Sequence, residues 1–144
     1  MGTEPGKVFN YNSGATLILG HIFRLATGTD IEEYAVEHLF TPLGIDDYYW
    51  DRTPYGLTDT QEGLYISARS LAKIAQLFLQ KGRWQNEQVI PATWVEESTA
   101  PRYPTGKSDE EAYGYLWWSQ PYTFKGKTVL SLIHISEPTR QHHI

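Results

Sequence analysis

Four groups of residues carry side chains able to do chemistry. The phenol of Tyr11 stands within Phe9-Asn10-Tyr11-Asn12-Ser13-Gly14-Ala15, at the start of an apolar run. A free phenol has a pKa near 10, so only about one in a thousand is ionised at neutral pH, and a proton-transfer role calls for a cation beside it. Taken alone, this tyrosine reads as a helix-start aromatic packing on Phe9, with Asn12 as the cap. Asp46, Asp47, Asp51 and Asp59 could supply paired carboxylates, yet aspartates among tyrosines, prolines and glycines serve as turn formers and caps. Trp117 and Trp118 could stack on a sugar or an apolar substrate, although alternation along a strand turns one of them inward. Tyr48, Tyr49 and Trp50 read as loop anchors. Lys127-Thr128-Val129 lacks the glycines of a phosphate loop, Gly114 has no partner glycines at fingerprint spacing, and no His-x-x-x-His or Glu-x-x-His sets metal ligands on a helix face. Nothing points to a nucleotide, a metal or another cofactor.

The elements that must position these residues follow from periodicity and punctuation. Asn12 or Ser13 caps a helix through Thr27, with Ala15, Ile18, Leu19, Ile22, Phe23 and Ala26 at three- and four-residue spacing and Gly28 as the stop. Thr29 and Glu32 have the spacing of a capping box for a second helix, striped by Ile31, Tyr34, Ala35, His38 and Leu39 and ending at Pro42-Leu43-Gly44. Asp46 to Gly63 has no helical period and reads as one long loop, a candidate wall or lid. Ser67 caps a third helix with Leu71, Ile74, Ala75 and Phe78 inward, which leaves Ser70 on its solvent face; Gly82 is the stop. Pro91 opens a short fourth helix carrying Trp94 and Val95. Arg102 to Glu111 reads as a polar connector, followed by strands over Tyr113–Trp118 and Tyr122–Val129. Helices first and strands last give an α+β order, without the alternation of a parallel sheet.

Composition narrows the function classes. The 144 residues hold 12 Lys+Arg against 17 Asp+Glu, a net charge of −5, and no cysteine. No basic field exists to neutralise phosphates, so nucleic acid is a poor partner. Cys-ligated metals, disulfides and thiol nucleophiles are excluded. No apolar run approaches the roughly 20 residues of a membrane helix.

The segment Phe9–Ala15, continued by Leu19-Gly20 and Ala26-Thr27-Gly28, resembles the serine hydrolases of the β-lactamase and penicillin-binding-protein superfamily. In class C β-lactamases, D-alanyl-D-alanine carboxypeptidases, related esterases and 6-aminohexanoate-dimer hydrolases, a Tyr-x-Asn or Tyr-x-Ser element opens such a helix. Further similarities follow in Phe40-Thr41-Pro42-Leu43-Gly44-Ile45, Gly63-Leu64-Tyr65-Ile66-Ser67-Ala68-Arg69, Leu71-Ala72-Lys73 and Tyr113-Gly114-Tyr115-Leu116-Trp117-Trp118. The resemblance implies a fragment of the β-lactamase/transpeptidase-like fold, a helical region plus the first strands of an antiparallel sheet flanked by helices. It implies cleavage of a small-molecule amide or ester through an acyl-enzyme, with a nucleophilic serine in a Ser-x-x-Lys motif on a separate helix. Tyr11 then takes or relays the proton as the catalytic residue, and Ser13 matches a substrate-side position. Ser70-Leu71-Ala72-Lys73 has the Ser-x-x-Lys spacing, but it follows Tyr11 where the family motif precedes the tyrosine. Lys127-Thr128 imitates the family's third motif, with Val129 where glycine is needed. The alternatives are an aromatic-rich saccharide- or peptidoglycan-binding module and a pseudoenzyme of the same fold. Relatives are often exported, and any export signal would lie upstream of Met1; compartment and oligomeric state stay open.

From Leu130 the string Leu-Ser-Leu-Ile-His-Ile-Ser-Glu-Pro-Thr-Arg resembles the in-frame translation of a transposon-type sequencing adapter. The expected organisation is therefore a partial serine-hydrolase domain over 1–129, inactive by itself, and a non-native tail over 130–144 that takes no part in the fold. His134, His142 and His143 fall in that tail.

Overall fold

The computed structural model describes residue 4, residues 6–108 and residues 110–133. The chain divides into two compact units, one formed by 1–11 with 96–144 and the other by 12–95. The second unit holds most of the helices. Helix α1 (Ser13–Thr27) starts where the Asn12 side chain accepts the Gly14 N–H at 2.9 Å, and it stops at Gly28, whose φ of 74° a glycine adopts without a Cβ penalty. Its turn-forming neighbours are thus as the sequence indicates, but its apolar residues are not core: Ile18, Ile22 and Leu25 are exposed.

Helix α2 (Ile31–Ala35) is capped by Asp30, whose carboxylate accepts the Glu32 N–H at 3.0 Å; the Thr29–Glu32 capping box expected from the sequence is not formed. The competing attraction is visible, because Asp30 also accepts from the Thr58 hydroxyl and lies 3.5 Å from Arg52. The helical path continues through a π-turn at Val36–Phe40 into α3 (Thr41–Leu43) and ends at Gly44, φ 60°. The wider π-turn brings Phe40 and Leu43 onto the buried side together.

The stretch 46–63 is not one loop. Strand β1 (Tyr48–Trp50) pairs antiparallel with β2 (Leu64–Ile66), and within that hairpin Arg52 bridges Thr58. Three-residue strands are too short to show alternation, which hid them in the sequence. Tyr48 and Trp50 turn toward Phe40, at ring separations of 4.9 and 6.4 Å, and the Trp50 indole N–H donates to the Asp59 carbonyl at 2.8 Å. Tyr49 faces the other way, exposed beside Tyr65.

Helix α4 (Ala68–Leu79) begins at the Ser67 cap as expected, but its inward stripe is Ser70, Ile74 and Leu77. Leu71 and Ala75, expected inward, are exposed, and Ser70, expected on the solvent face, is buried. Phe40, Leu43, Ile45 and Leu77 form the core, bordered by Val36, Leu39, Ile74, Trp84, Val89 and Ile90. A small hairpin of β3 (Arg83–Trp84) and β4 (Glu87–Gln88) follows, and α5 (Ala92–Thr99) carries the chain across into the first unit.

The first unit is a four-stranded antiparallel sheet in sequence order, β5 (Tyr103–Pro104), β6 (Ala112–Gly114), β7 (Trp117–Phe124) and β8 (Lys127–Ile133). The reading of Tyr113–Trp118 as one strand is corrected: the chain reverses at Tyr115 and Leu116, with φ of 44° and 71°, so Tyr113 pairs with Trp118 across a two-residue turn. Ser119-Gln120-Pro121 lies inside β7 and not between strands. Arg102–Glu111 contains β5 and is not wholly a connector. Strand β8 runs past Val129, pairing Leu130 with Pro121, Ser131 with Gln120 and Leu132 with Ser119. The expectation that nothing from Leu130 onward joins the fold therefore fails up to Ile133, because Leu-Ser-Leu-Ile has strand-forming composition. His134, His142 and His143 lie outside the described residues.

Burial raises the Asp30 carboxyl, while bonds from Thr58, from the Glu32 and Thr58 backbones and the Arg52 charge lower it more, leaving it below the usual carboxylate value. A carboxyl held low in the folded state adds stability that is present above its unfolded pKa and lost as pH falls through the folded one. Asp30→Asn is expected to weaken the protein at pH 6 and to flatten the acid limb of its stability below about pH 4, measured by urea midpoints across that range.

Candidate functional site

Tyr11 closes the N-terminal segment of the first unit, and its ring is one of a cluster of four. Its ring lies 5.5 Å from that of Trp118, tilted by 38°, and stands edge-on to Tyr113 at 6.2 Å. Tyr113 and Trp118 are themselves 4.9 Å apart, because the β6–β7 register sets them opposite each other. Phe9 completes the group at 5.1 Å from Tyr113 and 5.7 Å from Trp118. The expected contact of Tyr11 with Phe9 is thus replaced by one in which both rest on the same strand pair. Edge-to-face and offset arrangements of this kind suit the ring quadrupoles and hold each ring in one orientation. Tyr11 nevertheless stays 43% exposed, so its phenol is held without being hidden. Burial, and the neighbouring Tyr11, push the Tyr113 phenol above its ordinary value.

Ser13 is the first residue of α1 in the other unit. Its carbonyl accepts the Thr16 hydroxyl at 2.6 Å, and its own side chain is partly buried. Asn12 is committed to the cap. Tyr11 and Ser13 therefore stand on either side of the point where one unit gives way to the next.

The serine–lysine pair within α4 is differently engaged. Ser70 is 2% exposed, its hydroxyl donates to Asp47 at 2.6 Å and the Ser67 hydroxyl donates to it at 3.2 Å. Lys73 donates to the Gly44 carbonyl. Bonds from Ser67 and Ser70 hold the Asp47 carboxyl below its usual value, with Lys73 adding to the effect. This group ties the segment after α3 to the start of α4, and the serine proton is spent on a carboxylate. The sequence reading missed the bond because Asp47 and Ser70 are 23 residues apart and each looks like an ordinary turn or cap residue.

Tyr113 and Lys107 were also missed. Lys107 lies over the Trp118 ring, its ammonium 4.5 Å from the centroid. Neither carries a legible signal, because the turn that sets Tyr113 opposite Trp118 reads in the sequence as continuous strand and Lys107 reads as part of a polar connector. Among the described residues no three His, Asp or Glu gather where a metal ion could be held, and no helix is long and apolar enough to cross a membrane.

The sequence model of the Beta-lactamase family matches residues 2–136. The chain belongs to the beta-lactamase family. Solved structures with the same fold include a protein described as a 6-aminohexanoate-dimer hydrolase from Bacillus anthracis, 24% identical with a TM-score of 0.75 over 90% of this chain. The octameric penicillin-binding protein homologue from Pyrococcus abyssi is 20% identical, TM-score 0.71 over 89%. A penicillin-binding protein from Bacillus halodurans is 17% identical, TM-score 0.67 over 88%. The chain spans 36%, 33% and 44% of those three proteins, so this beta-lactamase-family segment corresponds to a third to under half of each. No curated protein sequence matches it. Its mixed helices and antiparallel strands are those of the β-lactamase/transpeptidase-like fold.

Proposed function

We propose that this chain is the tyrosine-bearing segment of a serine hydrolase that cleaves a small-molecule amide or ester through an acyl-enzyme, with Tyr11 as its proton-transfer residue and Ser13 on the substrate side. The observation that carries the reading is the setting of Tyr11, a phenol fixed by Trp118 and Tyr113 yet half open to solvent, in a chain of the beta-lactamase family. A general base must be held in orientation and still reach the proton it moves; the ring contacts of Tyr11 support the first and its exposure supports the second. In the proposed reaction Tyr11, as a phenolate stabilised by the lysine of a Ser-x-x-Lys pair supplied from outside these residues, takes the proton of that pair's serine hydroxyl as the serine oxygen attacks the carbonyl carbon. The proton then passes to the leaving amine or alkoxide, and water repeats the sequence to release the acid.

Ser70 is not assigned the nucleophile's role. Its hydroxyl is buried and bonded to Asp47, whereas a nucleophile must meet a substrate carbonyl. Because Ser70–Lys73 is the one Ser-x-x-Lys in the sequence, the 144-residue chain by itself is expected to give no turnover of a p-nitrophenyl ester or a chromogenic cephalosporin. Ester turnover that disappeared in Ser70→Ala would reverse this and make Ser70 the nucleophile. The adapter-like string from Leu130 is proposed to be foreign to the hydrolase, which the sequence of the source locus across Val129 tests directly. Kinetics of Tyr11→Phe in a hydrolase of family length carrying this segment tests the catalytic assignment.

A further inference from the structure

We propose that the aromatic cluster of the first unit is a binding site for a primary alkylammonium group, and that Lys107 is its resident intramolecular occupant. Trp118 is bordered by Phe9, Tyr11 and Tyr113 at ring separations of 4.9 to 5.7 Å, and the Lys107 ammonium sits 4.5 Å from its centroid. An indole face is the best aromatic acceptor of a cation, through its negative quadrupole, and here the surrounding rings hold that indole in place while Trp118 alone faces the ammonium. The structure thus already contains an alkylammonium in this place.

The manner in which Lys107 is held makes it displaceable. Its loop is fixed by bonds that do not involve the Lys107 side chain: the Thr105 hydroxyl donates to the Glu111 carboxylate at 2.6 Å, the Lys107 N–H to the Thr105 hydroxyl at 3.3 Å, and the Glu111 N–H to the Ser108 hydroxyl at 3.1 Å. Among the described residues its ammonium makes no ion pair and no hydrogen bond. Swinging the exposed four-carbon stem off the ring therefore breaks no polar bond. Two further cation–ring contacts among the described residues are unlike it. Arg102 over Tyr115 is also tied to Glu97 at 3.2 Å, and Lys125 over Phe124 joins sequence neighbours at a turn.

Charge selects the ligand class. Glu110 and Glu111 share the loop with Lys107, and the chain carries −5 overall, so an arriving ammonium is favoured and a carboxylate is not. A carboxylate would also have to face the negative side of the indole. Only the further step, that the bound group is the cationic end of a substrate whose carbonyl reaches Tyr11, rests on the function proposed above.

The test is a titration of the 15N-labelled 144-residue chain with n-butylammonium chloride and, separately, with sodium n-butyrate at matched ionic strength, reading the assigned Trp118 indole N–H. A saturable shift with n-butylammonium and none with n-butyrate is expected. Lys107→Gln, an exposed change that leaves every loop hydrogen bond in place, is expected to tighten binding several-fold by removing the internal competitor. A Trp118 response to n-butyrate that Lys107→Gln abolishes would overturn the proposal and make Lys107 an anion anchor. No response to n-butylammonium in either protein would reduce the cluster to packing. Neither result depends on turnover, so the site can fail while the hydrolase reading stands, and the reverse.

Discussion

Leu77→Ala is expected to cost about 2–5 kcal/mol of stability, enough to leave much of the chain unfolded at 37 °C. Leu77 is 0% exposed, the most buried side chain of the core it shares with Phe40, Leu43 and Ile45. Its neighbours come from separate directions, the π-turn and α3 on one side and the β3–β4 hairpin on the other, so no single element can collapse to fill the space. The lost transfer energy of the side chain and the cavity left behind add together. Leu71→Ala, four residues past Ser67 on the same helix but 56% exposed, is the control and should cost only a few tenths of a kcal/mol. Urea denaturation of both variants measures the difference; equal midpoints would mean that the core is not where α4 places it.

That pair of leucines shows how far the sequence could be read. A helix from Ser67 was legible because cap and period agree, yet the stripe was rotated toward Leu71 and Ala75. Apolar residues are offered on more than one face of α4, and the inward one joins Ile74 and Leu77 to the hydrogen bond from Ser70 to Asp47, a polar contact invisible to a hydrophobic count. The α1 boundaries were legible for the same local reason, from Asn12 to Gly28. The cap of α2 was missed by one residue because Asp30 is chosen by Thr58 and Arg52, contacts made across 28 and 22 residues. The β6–β7 turn was hidden because Tyr115 and Leu116 take positive φ, which bulky residues rarely do. At the candidate site, Tyr11 stood out through its resemblance to a family element, whereas the rings that hold it depend on strand register.

The second large effect concerns Tyr11. In a hydrolase of family length carrying this segment, Tyr11→Phe is expected to lower kcat by about 10² to 10⁴, the usual contribution of a positioned proton-transfer group, with a smaller change in KM. Phenylalanine keeps the ring, and with it the contacts to Trp118 and Tyr113, so the fold should be preserved. For a purely structural aromatic the same substitution would leave kcat within a few-fold of the parent. Ser70→Ala in the same protein removes a hydrogen bond that fastens α4 and should change stability without a comparable fall in kcat.

The most direct measurement is therefore kcat for Tyr11→Phe beside the parent and Ser70→Ala, each at matched soluble yield and on the same amide or ester. A fall of at least about 10² in Tyr11→Phe, with Ser70→Ala within a few-fold of the parent, is the predicted result. Full kcat in Tyr11→Phe would contradict the account and leave Tyr11 a packed aromatic in a beta-lactamase-family fold.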